Sequence, residues 1–201
     1  MSISEKPASL KVYFVRHGET DWNAQGRMQG QQNIPLNATG RFQAERAGRV
    51  FSRLVPQPEL LDYLVSPMLR TLETSEIMLR TIGLDPEICR KEPRLKELTF
   101  GRWEGMTWKE VRAVDPEMAA QREKDKWGLI PPGGGESYAM LAERIRPVFE
   151  KLERDTVMIS HGGVARAVLA VMGGVSKNEA PGMDIWQGRI LVISDGRYQW
   201  V

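Results

Sequence analysis

KVYFVRHGETDWN, Lys11 to Asn23, is the stretch from which the rest of the chain is read. Val12, Tyr13, Phe14 and Val15 form an unbroken apolar run rich in β-branched and aromatic residues, the pattern of a strand buried on both faces of a parallel sheet. The run ends in Arg16, His17 and Gly18. Ligands of open α/β sheets bind just beyond the carboxyl ends of the strands, so a cation, an imidazole and a glycine stand where a ligand is expected. The chain has two histidines, and the second repeats the arrangement: Thr156–Ser160 reads as another strand, followed by His161, Gly162 and Gly163. A third apolar run, Tyr63–Val65, ends at Ser66-Pro67, with Arg70 close behind. Side by side, these three strands would bring two histidines and two arginines to one rim.

The chain of 201 residues suits one α/β domain with a sizeable core. Its 27% charged and 41% hydrophobic fractions are those of a soluble globular protein. Basic and acidic residues are interleaved and the net charge is only +2, which argues against a nucleic-acid partner. A single cysteine, Cys89, excludes an internal disulfide, and with two histidines it makes a zinc site of the usual ligand types improbable. Residues 1–10 read as a short polar leader without a signal peptide, and no apolar run is long enough to span a membrane. A cytoplasmic location is expected.

Gly18–Leu36 lacks periodicity and reads as a long ordered loop, a length at which loops tend to be functional. Asn37 or Thr39 caps a helix to about Leu54 with Ala44, Ala47, Phe51 and Leu54 as its apolar stripe, its arginines lying mostly on a solvated face. Ser66 is expected to cap the next helix with Pro67 at its first position. That helix runs to about Ile82 and stops at Gly83, with Leu69, Leu72 and Ile77 toward the core. Glu87–Arg90 suggests a short edge strand. One or two short helices are expected between Thr107 and Lys126, broken at Asp115-Pro116, and PPGGG at 131–135 is a loop. A helix follows from Glu136 or Ser137 to about Arg154, carrying Tyr138, Leu141, Ile145, Val148 and Leu152 at core spacing and an interior Pro147. Gly162–Met172 is the last helix. Ile190–Ile193 and Tyr198–Val201, split by Asp195-Gly196, read as a closing hairpin, whose edge could pair with a second copy as a homodimer.

Two arginines and two helix amino ends suit a dianion such as phosphate. A histidine in that positive field is driven toward its neutral form, which can attack phosphorus and give a phosphohistidine. Arg16, Arg70 and His161 would neutralise the equatorial oxygens without a metal or other cofactor. Departure of an alkoxide needs a proton, and Glu97, expected to be protonated by burial among apolar and aromatic neighbours, is the candidate donor. Composition alone reads Glu97 as a salt-bridged loop carboxylate.

RHGETDWN at 16–23 resembles the signature of the histidine phosphatase superfamily, also called phosphoglycerate mutase-like. SPMLRTLET at 66–74, LKELTFGRWEG at 95–105 and VMISHGG at 157–163 follow in the same order, so the resemblance covers essentially the whole chain. It implies one domain over 1–201, a three-layer α/β/α sandwich on a mostly parallel sheet, with a small helical cap insertion at about 98–135. It places the phosphoryl acceptor on His17, phosphate-binding arginines on Arg16 and Arg70, the second histidine on His161 and the acid/base on Glu97. Asn23 and the backbone N–H of Gly162 would add phosphate contacts, and Thr20, Gln29 and Gly30 would serve the substrate side. The short connection between Glu97 and His161, its PPGGGES segment and RMQGQQNIPLNATG at 27–40 resemble the phosphatase branch. The expected activity is therefore a metal-independent phosphomonoesterase acting on a small phosphorylated metabolite. A 2,3-bisphosphoglycerate-dependent phosphoglycerate mutase is the alternative, and a non-catalytic phospho-ligand module the third reading. Trp103, Met106, Trp108 and Trp127 either line a cap over the site or form plain core.

Overall fold

The computed structural model describes residues 10–201, so nearly all of the polar leader lies outside the described residues. Among them, six strands form one sheet in the order β3-β2-β4-β1-β5-β6: β1 (Val12–Arg16), β2 (Asp62–Val65), β3 (Arg90–Lys91), β4 (Thr156–Ser160), β5 (Ile190–Ser194) and β6 (Arg197–Trp200). β4 lies between β1 and β2 and is parallel to both, while β5 and β6 close one side antiparallel. The sheet is thus mostly parallel in its centre, where every strand is apolar on both faces.

The period-2 alternation of each strand divides the core. Tyr13, Val15, Tyr63, Val65, Val157 and Ile159 pack on one face with Ala47 and Phe51 of α2 (Ala38–Leu54) and Met78 and Leu79 of α3 (Leu69–Thr81). Val12, Phe14, Leu64 and Met158 pack on the other with Leu141 and Ile145 of α6 (Tyr138–Phe149) and Val164 and Val168 of α7 (Gly162–Val171). The result is a three-layer α/β/α sandwich. A third cluster joins Trp103, at the end of the 3-10 turn Gly101–Trp103, to Val111 of α4 (Trp108–Val114) and Ala119 of α5 (Pro116–Lys124).

Several local expectations need correction. The 18–36 loop contains a short helix α1 (Asp21–Ala24), capped by a reciprocal Thr20–Asn23 box. Ser66 does not cap α3. The cap is Met68, which supplies no side-chain bond. The first-turn N–H of Leu69 is instead satisfied by Asn33 Oδ1 at 2.7 Å, reaching across from the loop. The buried face of α3 is Arg70, Thr71, Thr74, Ser75, Met78 and Leu79, with Leu72 packed partly buried against the core as expected and Leu69 exposed instead, because the helix start serves a polar site as well as the core. Edge strand β3 begins at Arg90, after a turn of 3-10 helix at Pro86–Ile88. Helix α6 ends at Phe149, soon after Pro147.

Candidate active site

Register brings the strand ends together. Arg16 stands opposite Ser160 and Val65 opposite Ile159. The pairing continues one residue further, with His17 N donating to Ser160 O at 2.9 Å and Ser66 N to Ile159 O at 3.0 Å. His17, Ser66 and His161 therefore emerge side by side at the carboxyl edge. The two imidazoles lie with ring centroids 5.3 Å apart at 60°, and both are buried.

The tautomer of His17 follows from its partner. Nδ1 lies 2.7 Å from the carbonyl oxygen of Gly18. A carbonyl can only accept, so Nδ1 carries the proton and Nε2 keeps its lone pair. Burial above all, then the fields of Arg70 and Arg16, hold His17 well below the usual imidazole range. Burial does the same to His161, followed by Arg70, His17 and Arg16. Both rings are neutral at neutral pH. His161 Nε2 pairs with Ser66 Oγ at 2.8 Å, which is the role the serine takes instead of capping.

Arg16 comes from the end of β1 and Arg70 from the first turn of α3. Arg16 Nη1 donates to Ile185 O at 2.7 Å. Arg70 is fully buried at the start of α3, and its Nη1 and Nη2 donate to Gln32 O at 2.7 Å and Gly30 O at 2.9 Å. Burial lowers each guanidinium to about 10, a displacement that Glu97 opposes in both. Both remain charged. Glu97 lies within the field of both arginines. Its Oε1 accepts Leu98 N and its Oε2 accepts Gly163 N, each at 3.0 Å, which ties the carboxylate to the first turn of α7. It is half-buried, and backbone donors hold both of its oxygens.

Thr20 is fully buried and occupied as the cap of α1. Asn23 Oδ1 accepts from Thr20 N and Gln187 Nε2, both at 3.2 Å, which leaves its NH2 group as the part able to meet a ligand. Gly30 adopts φ 50° and offers its carbonyl to Arg70. Gly162 lies at the start of α7, where a Cβ would be 3.5 Å from Arg16 Nε and 3.7 Å from Arg166 Nη1.

Among the described residues, the buried side-chain polar atoms without a partner are Arg16 Nε, Arg70 Nε, His161 Nδ1 and Gln29 Oε1. Buried polar groups are nearly always paired. The first three belong to the histidine–arginine group and the fourth to the loop that Arg70 holds. The arrangement can therefore receive a compact anion against a neutral imidazole nitrogen.

A family model described as the histidine phosphatase superfamily (branch 1) matches residues 12–201. The chain belongs to that superfamily. It is 34% identical over 163 residues to a protein of Arabidopsis thaliana named "Metal-independent phosphoserine phosphatase", covering 79% of this chain and 66% of that one. It is 35% identical over 162 residues to "Probable phosphoglycerate mutase GpmB" of Photorhabdus laumondii, covering 76% and 70%. The solved structure of a mycobacterial glucosyl-3-phosphoglycerate phosphatase superposes with a TM-score of 0.80 at 27% identity, covering 96% of this chain and 97% of that one. Both activities named among these relatives act on phosphate esters.

Sequence reasoning missed two residues of this region. Ser66 was hidden by its resemblance to a helix cap. Arg166 lies one helical turn after Gly162, and that spacing was the signal that it shares a face with the first turn of α7.

Proposed function

We propose that the chain is a phosphomonoesterase that works through a phosphohistidine on His17, with Glu97 as acid and then base. The observation that carries this reading is the group of unpartnered buried polar atoms on Arg16, Arg70 and His161 around a histidine whose Nε2 lone pair is free to attack. In the first step the Nε2 lone pair forms a bond to phosphorus while the bond from phosphorus to the ester oxygen breaks. A proton from Glu97 goes to that leaving oxygen, and the alcohol departs. In the second, water adds to phosphorus, gives its proton to Glu97, and the N–P bond breaks to release phosphate. Arg16, Arg70 and the Gly162 N–H neutralise the equatorial oxygens, which is most of what phosphoryl transfer requires. His161 takes part through Nδ1, with Ser66 holding its other nitrogen. Asn23 contributes through its NH2 group, while Thr20, Gln29 and Gly30 shape the substrate side. We read 98–135 as the cap of a single domain.

The test is phosphate release from p-nitrophenyl phosphate in excess chelator, together with an acid-labile, alkali-stable phosphoryl label. Both should vanish in His17→Ala, and persistence of either rules out the assignment. The relative named as a mutase supports a second reading, phosphoglycerate mutase activity. Appearance of 2-phosphoglycerate from 3-phosphoglycerate and a bisphosphoglycerate primer, faster than phosphate release, would favour it. Pairing of β6 with a second copy remains a proposal that sedimentation tests.

A further inference from the structure

The chain after Glu97 folds a second carboxylate, Glu104, back toward the site. Gly101–Trp103 is a turn of 3-10 helix, and Glu104 N closes it on Gly101 O at 3.2 Å. This returns the half-buried Glu104 side chain to Thr99 and Phe100. Its Oε1 accepts Thr99 Oγ1 at 2.8 Å, Phe100 N at 3.2 Å and Gln31 N at 3.1 Å. Its Oε2 accepts Gln32 Nε2 at 2.8 Å. An ionised carboxylate only accepts, and four donors fill its capacity. All four donors are uncharged, so the group orders backbone and neutral side chains.

Those donors belong to two segments far apart in sequence. One is the stretch just after Glu97. The other is the loop whose Gly30 and Gln32 carbonyls receive Arg70. Gln31 Nε2 also donates to Glu97 O at 3.2 Å, so the same loop reaches the backbone of Glu97 itself. Gly30 is fitted to the contact, with φ 50° and room for no side chain, since a Cβ would stand 2.6 Å from Glu104 Cδ. Burial is the largest influence on Arg70 and works against its charge, while the fields of Glu97 and then Glu104 support it. Under the phosphatase reading, Arg70 holds the phosphoryl oxygens while Glu97 protonates the ester oxygen on the same phosphorus. The spacing of these two groups therefore enters the rate directly, and a displacement of about 1 Å costs about 100-fold.

Resting on that reading, we propose that Glu104 is a positioning residue for the proton transfer, its carboxylate locking the loop that cradles Arg70 to the segment that carries Glu97. The full chain is tested with phenyl phosphate, whose poor leaving group needs a proton, and 2,4-dinitrophenyl phosphate, whose leaving group departs without one. Glu104→Gln keeps the shape but sets an NH2 group among donors. It should lower kcat/KM for phenyl phosphate about 100-fold and change the ratio between the two esters by about tenfold or more, within the worth of a placed general acid. The folded fraction cancels in that ratio, so mere loss of stability does not move it. Glu97→Gln, which removes the proton itself, is the benchmark and should shift the ratio further in the same direction. Gln32→Ala, an exposed change that removes one of the four bonds, should shift it less, and it decides the matter if Glu104→Gln does not fold. Suppose Glu97→Gln shifts the ratio but Glu104→Gln, or Gln32→Ala in its stead, lowers both esters equally or neither. The inference is then overturned and the phosphatase reading stands. A ratio unmoved by Glu97→Gln, or no phosphate release from either ester by the wild type, sinks both.

Discussion

Gly40→Ala separates a local from a tertiary expectation with opposite signs. Gly40 lies in the first turn of α2, where alanine should stabilise an isolated helix by up to about 1 kcal/mol. In the folded protein a Cβ at Gly40 would stand 2.7 Å from Glu19 N and 2.9 Å from its carbonyl carbon, with the carbonyl oxygen nearer still. The contact is backbone on backbone, so no rotamer relieves it. Restoring ordinary separation requires α2 and the 17–19 segment to part by about 1 Å, and overpacking of this kind costs about 1–3 kcal/mol. The same movement strains Asn37 N to Glu19 O at 3.0 Å and Glu19 N to Gln43 Oε1 at 2.8 Å, each worth about 1 kcal/mol. A net loss of roughly 1–3 kcal/mol lowers Tm by roughly 3–10 °C for a domain of this size. His17 lies two residues before Glu19, so a displacement of about 1 Å there should cut kcat about 100-fold. Thermal unfolding by circular dichroism and hydrolysis of p-nitrophenyl phosphate read both. Gly182→Ala, where a Cβ meets nothing within 4 Å, is the control and should be neutral. A Gly40→Ala protein with equal or higher Tm and wild-type kcat would refute the reasoning.

Gly163→Ala brings a Cβ against Leu98 and the Glu97 carboxylate, within 3.1 Å of Glu97 Cδ, and should lower kcat about 100-fold with a smaller change in KM, measured by steady-state kinetics. Ser66→Ala strands the buried His161 Nε2 and should cost about 1–3 kcal/mol in urea unfolding, with the loss of turnover in kcat and an altered pH profile. Arg70→Lys removes the donors that hold Gly30 O and Gln32 O, so inorganic phosphate should inhibit more weakly and the 28–32 loop should exchange amide hydrogens faster. His17 and His161 stay neutral in the folded state but take up protons below about pH 6.5 when unfolded. Their contribution is therefore fully present above that pH and declines as the pH falls, by up to about 1.4 kcal/mol per unit per ring. Denaturation at pH 7.5 and pH 5.0 should show this decline, and His161→Asn should flatten it. An unchanged slope would mean that this ring titrates normally in the fold.

Much of the fold was legible in the order of residues because its signals are local. Unbroken apolar runs marked β1, β2 and β4, helical spacing marked α2 and α6, and Asp195-Gly196 marked the final hairpin. The repeated strand–histidine–glycine pattern also exposed His17 and His161, since a strand end is where a sheet presents its ligands. Only the tertiary structure decided that β4 inserts between β1 and β2, a matter of register between segments far apart in sequence. The same holds for polar partners. Ser66 was drawn to His161, Asn33 took over the open N–H of α3, and two backbone amides captured Glu97, because each buried polar group pairs with whatever the fold brings within reach.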